Sequence, residues 1–278
     1  MTWREILSTG GPILLALIAA YGVDRVARQR GLDPPGFADP VRRLAAGGLV
    51  ALVLWLVCFA QLGSAGGGAA STLDFAKVSW LRLFSVQIIL VATLAGWYLL
   101  GFAGFGALAP GSAASPAAQF GWRHPRPGRE LGLGLFLGLA TWSLLIGLVL
   151  LVALAVAQFA GEEALPKSPP PAILWIVGLP APLRLAISLS AGAVEESFFR
   201  GFLQPRLGAV LSTLFFVLAH LSYGSPFLLV GVTLLSLMYA LIVRLRQSIL
   251  AAAVAHAAFD SIELLVVAPL VLRLIGHG

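Results

Sequence analysis

Two adjacent glutamates and an arginine, in Glu195-Glu196-Ser197-Phe198-Phe199-Arg200, stand inside a run of Leu, Ala, Val, Ile and Phe. Carrying one such charge to the middle of a bilayer costs ~2.5–3.5 kcal/mol on insertion scales. Three charges in one apolar stretch point to a site with a chemical task. Two further clusters lie downstream. One is Phe216-Val217-Leu218-Ala219-His220; the other is His256-Ala257-Ala258-Phe259-Asp260, with Glu263 one turn beyond. Carboxylates and imidazoles are the side chains that take and return protons during catalysis. One Glu and two His also make a zinc-binding set with a fourth position open to water.

Helix geometry sorts these groups. Glu196 and Arg200 are four residues apart, on one face, and are expected to pair. Glu195 is rotated about 100° from Glu196, so one glutamate is structural and the other is left for chemistry. His256 and Asp260 are also four apart, and Asp260 could orient the imidazole or share its ligand duty. Glu263 falls on a similar face toward the outer half, where it is expected to pair with another helix. Depth gives a separate argument. Glu195 lies twelve residues before Leu207, and His220 twelve after Gly208. With a turn at Leu207-Gly208, both sit ~15–20 Å from it at the rise of an α-helix. His256 follows Arg246 by ten residues, which puts it ~15 Å deep. Three helices thus bring an acid and two histidines to one level. Ser197 has no nearby histidine in sequence and reads as a small packing residue.

The elements that must position them are membrane helices. The chain is 59% hydrophobic and 11% charged, with a mean hydropathy of +0.95, whereas soluble domains carry about 25% charged residues. An all-α polytopic transmembrane bundle of about eight helices is expected, with its site buried between the carboxy-terminal helices. Windows of the required length lie near 6–23, 44–63, 80–103, 131–158, 182–204, 208–222, 226–243 and 249–270. The window at 208–222 is short enough to be a partial crossing. Residues 172–178 are too short to cross and read as an interfacial lead-in, ended by Pro180 and Pro182. The first apolar run lacks a small-residue cleavage site and reads as a retained span. The 7 Trp and 16 Phe supply packing and interface anchors.

We read 1–278 as a single integral domain, with scaffold or substrate-shaping helices over 1–160 and catalytic helices over 172–270. The first four helices show almost no buried ionisable residue. Loops at 64–76 and 104–120, rich in Gly, Ala, Ser and Pro, read as flexible connections, and the prolines ending 161–171 stiffen an outer loop. The single cysteine, Cys58, excludes an intrachain disulfide and Cys₂ or Cys₄ metal sites.

Arginines orient the bundle. Arg25, Arg28, Arg30, Arg42 and Arg43 fall in the first connection, Arg123, Arg126 and Arg129 in the third, Arg206 in the fifth, and Arg244 and Arg246 in the seventh. The even connections carry only Lys77 and Lys167. Odd loops are therefore expected in the cytoplasm and both termini outside, in a plasma (inner) membrane with the site facing the cytoplasm. The net charge of +6 is spent on these topology signals, and nucleic acid is not an expected partner.

Taken in order, Glu-Glu-x-x-x-Arg (Glu195, Glu196, Arg200), Phe-x-x-x-His (Phe216, His220) and His-x-x-x-Asp (His256, Asp260) resemble the CPBP intramembrane proteases, the CAAX prenyl protease and bacteriocin-processing group also called the Abi family. The resemblance covers about 180–265. It departs at Asp260, where many members carry Asn. It implies an all-helical membrane endopeptidase whose substrate is a membrane-associated protein or peptide. In the metal-independent route it implies, Glu195 and His220 activate a water, while His256 and Asp260 bind the oxyanion or complete the site. Apolar surroundings make a carboxylate more basic, which suits such a role. The competing route places zinc on Glu195, His220 and His256 and leaves Glu196 as base, although Arg200 is expected to engage it. No His-Glu-x-x-His, Gly-x-Ser-Gly or Gly-x-Gly-Asp motif occurs, which disfavours other intramembrane protease chemistries. The alternatives are a non-catalytic scaffold or bacteriocin self-immunity protein of the same fold, and a proton-coupled transporter. The last is disfavoured because the polar residues occupy only one half of the chain, whereas transporters often show paired repeats and broken helices in both.

Overall fold

A computed structural model of the protein describes residues 3–60, 62, 79–104, 114–165 and 171–274. The expected loop at 64–76, most of that at 104–120, and Lys77 and Lys167 lie outside the described residues. All regular elements among the described residues are helical. The main ones are α1 (Trp3–Gln29), α2 (Pro40–Leu54), α3 (Ser85–Phe102), α4 (Pro127–Ala160), α5 (Ala181–Ser190), α6 (Gln204–Ala219), α7 (Pro226–Arg246), α8 (Leu250–Ile262) and α9 (Ala268–Leu274). They supply seven stretches long and apolar enough to cross a membrane, as a multi-pass membrane protein requires.

The expected windows at 182–204 and 208–222 form one of these stretches, Ala181–Ala219. It reverses at Gly208, whose φ of 84° and ψ of 170° suit a residue without a Cβ. Beyond the turn α6 runs back along the arm it came from. Ser212 Oγ donates to the Phe199 carbonyl at 2.6 Å, and the Phe199 and Phe216 rings meet edge to face at 5.0 Å. The short helix Pro171–Val177 precedes this hairpin.

Three helical segments are wound more loosely than the α-helix their apolar patterns suggest. They are π1 (Trp55–Phe59), π2 (Ala191–Leu203) and π3 (Glu263–Val267). In each the closing bond spans five residues: Ala60 N–H to Trp55 O, Gln204 N–H to Phe199 O, and Ala268 N–H to Glu263 O. Such π turns are uncommon and concentrate at functional sites. All of Glu195, Glu196 and Arg200 lie in π2, and π3 follows the turn after Asp260.

Small residues let α8 sit at the centre of the carboxy-terminal half. Its alanines pack on glycines from two directions. A Cβ at Gly138 of α4 would stand 2.7 Å from the Ala258 Cβ and 2.8 Å from the Ala255 carbonyl oxygen. A Cβ at Gly192 of π2 would stand 2.8 Å from both the nitrogen and the Cβ of Ala257. Close backbone approach through small residues is the usual packing solution in lipid, where apolar surfaces gain little by association. A Gly192→Val substitution is expected to push π2 off α8 and cost about 1–3 kcal/mol, as overpacking does. Thermal unfolding of the purified protein checks this, and an unchanged midpoint would show that the contact has slack.

An aromatic core joins the two halves. Trp97 of α3 meets Phe202 of π2 edge to face at 5.1 Å, and Phe120 and Phe102 pack around it. Arg206 is drawn into this core rather than standing in a loop. Its guanidinium lies 4.2 Å from the Phe202 ring centroid and 4.7 Å from that of Trp97. It also donates to the Phe202 carbonyl at 2.7 Å. Ring faces and a carbonyl replace water around this cation, so it is buried and not a loop charge. The amino-terminal half holds a buried acid too. Glu130 near the start of α4 is fully buried. It accepts from Arg246 Nε at 3.1 Å and from Arg246 Nη2, and His124 Nε2 lies 3.5 Å from its Oε1. The pair ties the start of α4 to the end of α7. It escaped the hydropathy pattern because its partner is 116 residues away.

Candidate functional site

The hairpin of π2 and α6, with α8 beside it, brings the seven residues of the three motifs into one cluster. Glu195 faces α6. Its Oε2 stands 4.0 Å from His220 Nε2, too far for a direct hydrogen bond, and has no hydrogen-bond partner among the described residues. His220 ends α6, and its Nδ1 lies 2.7 Å from the Phe216 carbonyl oxygen one turn earlier. A carbonyl can only accept, so Nδ1 carries the proton. In the neutral ring Nε2 then turns a lone pair toward Glu195. Phe216 stacks on the His220 ring at 4.5 Å.

Glu196 turns the other way, toward α8, as its offset of one residue along π2 allows. It is fully buried and holds two partners: Arg200 Nε at 3.3 Å from Oε2 and His256 Nδ1 at 3.0 Å from Oε1. The expected Glu196–Arg200 pair is therefore formed. The contact with His256 is one that helix periodicity could not supply. Arg200 is 1% exposed. Its guanidinium carbon lies 4.3 Å from the Phe216 ring centroid, and Nη2 donates to the Ser236 carbonyl of α7 at 3.4 Å. The second nitrogen of His256, Nε2, faces Asp260 Oδ2 at 3.5 Å. A ring with a carboxylate at each nitrogen satisfies both only when both carry protons.

Phe216 links the two subsites, because its ring also meets the His256 ring at 6.1 Å. The donor groups thus fall into two pairs, Glu195 with His220 and His256 with Asp260. Among the described residues no three His, Cys, Asp or Glu side chains are disposed to hold one metal ion. Glu195, His220 and His256 do not form such a group; Glu196 engages His256 at Nδ1, which leaves Nε2 as the nitrogen a metal would use.

Residues outside the motifs support the cluster. Trp122 Nε1 donates to Ser197 Oγ at 2.9 Å, and Ser197 Oγ donates to the Ala193 carbonyl at 2.7 Å. Ser197 is therefore a polar tie to π2 as well as a small residue. Trp142 Nε1 of α4 donates to Glu263 Oε2 at 2.9 Å, so Glu263 does pair with another helix. Tyr239 of α7 lies flat against His256, with centroids 5.1 Å apart and planes 22° from parallel. Neither Trp122, Trp142 nor Tyr239 carried a sequence signal, since each meets its partner only through helix docking.

Residues 177–262 match the family model described as Rce1-like, type II CAAX prenyl endopeptidase Rce1-like. The match takes in all three motifs and bears out the resemblance read from them. No curated protein and no solved structure matches the chain.

Proposed function

We propose that this protein is an intramembrane endopeptidase, and that Glu195 and His220 activate the water that attacks a peptide bond of a membrane-associated protein or peptide. The family match over 177–262 supports a CAAX-type intramembrane protease. The observation that carries the mechanism is the Glu195–His220 pair, two hydrogen-bond acceptors 4.0 Å apart. A water ~2.8 Å from each would see them at an angle of about 90°, close to that between its own two hydrogens. Both hydrogens then point into the protein and a lone pair points out at the scissile carbonyl.

Glu195 takes a proton as the water oxygen bonds to the carbonyl carbon, and the carbonyl oxygen becomes an oxyanion. His256 Nε2–H, held only loosely by Asp260 at 3.5 Å, is shared with the oxyanion and stabilises that charge. Glu196 holds the other side of the ring and keeps it protonated at Nδ1. The carbon–nitrogen bond breaks as Glu195 passes its proton to the leaving amine. By the arginine pattern the site lies in the cytoplasmic half of the bilayer.

The test is cleavage of a panel of membrane peptides, prenylated and unprenylated, by purified protein with and without chelator, alongside its zinc content. Replacing His220 by Ala is expected to lower kcat by ~10²–10⁴-fold, the usual worth of such a group. Chelation is expected to leave the rate unchanged. Stoichiometric zinc with chelator-sensitive cleavage would replace the Glu195–His220 step by a metal-bound water. Undiminished cleavage by the variant would overturn the site.

A further inference from the structure

We propose that Tyr239 is a positioning residue that sets the plane of the His256 ring. The role matters for catalysis through the protease reading above, on which this inference rests. Glu196 at Nδ1 and Asp260 at Nε2 hold the imidazole at its two nitrogens, on either side of Cε1. The ring turns about its Cβ–Cγ bond, and contacts lying in the ring plane resist tilting out of that plane only by bending. A parallel plate opposes the tilt directly, and the Tyr239 ring lies against His256 at 22° from parallel. Phe216 closes in at 64°, an edge contact that blocks the ring from sliding away.

The plate is itself rigid. Tyr239 is fully buried and sits one turn after Ser236, whose carbonyl accepts from Arg200 and whose hydroxyl donates to Thr213 Oγ1 at 2.9 Å. The three constraints come from three elements: Glu196 from π2, Asp260 from α8 and Tyr239 from α7. The aim of Nε2–H therefore depends on the docking of α7, an element that carries none of the three motifs.

Tyr239→Phe keeps the plate and Tyr239→Leu removes it. The ring nitrogens of ¹⁵N-histidine-labelled protein give a readout independent of activity; the chain has 4 histidines, and His256→Gln assigns the signal. Tyr239→Phe is expected to leave the His256 signals in place and kcat within about twofold. Tyr239→Leu is expected to broaden or average the His256 signals alone and to lower kcat ~10–100-fold at unchanged KM, the scale of a 1 Å misplacement. Two results would overturn the proposal. One is a Leu variant whose only defect is a lower melting point, with His256 signals and kcat per folded molecule intact. The other is a Phe variant as impaired as Leu, which would make the hydroxyl the working group. If wild type cleaves nothing, or Glu195→Gln retains cleavage, the protease reading fails, and the ¹⁵N signals still decide whether Tyr239 fixes the ring.

Discussion

Glu195→Gln is expected to lower kcat by ~10³-fold or more, since it removes the proton acceptor, while leaving thermal stability unchanged or slightly raised. The amide matches the carboxylate in shape and cannot accept the proton of an attacking water. The stability half of the prediction follows from burial. Glu195 Oε2 has no hydrogen-bond partner among the described residues, and an unpaired charge in an apolar site costs free energy that a neutral amide largely avoids. Loss of activity without loss of stability is the signature of a group kept for chemistry. Steady-state cleavage and the unfolding midpoint, measured on the same preparation, check both halves. A kcat within tenfold of wild type would remove Glu195 from the reaction and favour the scaffold reading. Lost proton-coupled uptake in place of lost cleavage would favour the transporter.

Arg200→Leu is expected to be destabilising by about 3–5 kcal/mol, the range seen when one partner of a buried pair is removed. Glu196 would be left as a fully buried carboxylate with only His256 beside it. The cation's contacts with the Phe216 ring and the Ser236 carbonyl would go as well. The double substitution Arg200→Leu with Glu196→Gln is expected to recover much of the folding, because replacing a whole buried pair is often near neutral. It is not expected to recover activity, since His256 Nδ1 loses its carboxylate. Thermal unfolding of the single and double variants reads the first effect and peptide cleavage the second. A single variant that unfolds within about 1 kcal/mol of wild type would place this pair with the weak, solvated ones.

Together these substitutions separate two adjacent residues with the same side chain. Glu195 faces α6 and an imidazole across a gap fit for water. Glu196 faces α8 and is consumed by Arg200 and His256. The difference is one residue of helical rotation, which inverts their expected phenotypes: activity alone for the first, stability foremost for the second.

What the sequence determined by itself concerns composition and local repeat. Apolar runs of bilayer length specify membrane helices, because unpaired backbone groups are intolerable in hydrocarbon. Spacing of four residues put Glu196 and Arg200 on one face, and His256 with Asp260, since a helix returns to the same side at that interval. Gly208 marked the reversal, and counting from it placed Glu195 and His220 opposite each other. Only the tertiary structure decided the rest. Glu196 meets His256 across 60 residues, Ser197 meets Trp122 across 75, and Glu263 meets Trp142 across 121. Such pairs depend on which helix docks where, and no local period encodes that. The loose winding of π2 and the burial of Arg206 in an aromatic core depend on the same docking. Glycines such as Gly192 permit the close approach of two backbones, but a glycine in a sequence does not name the helix that will come to lie against it.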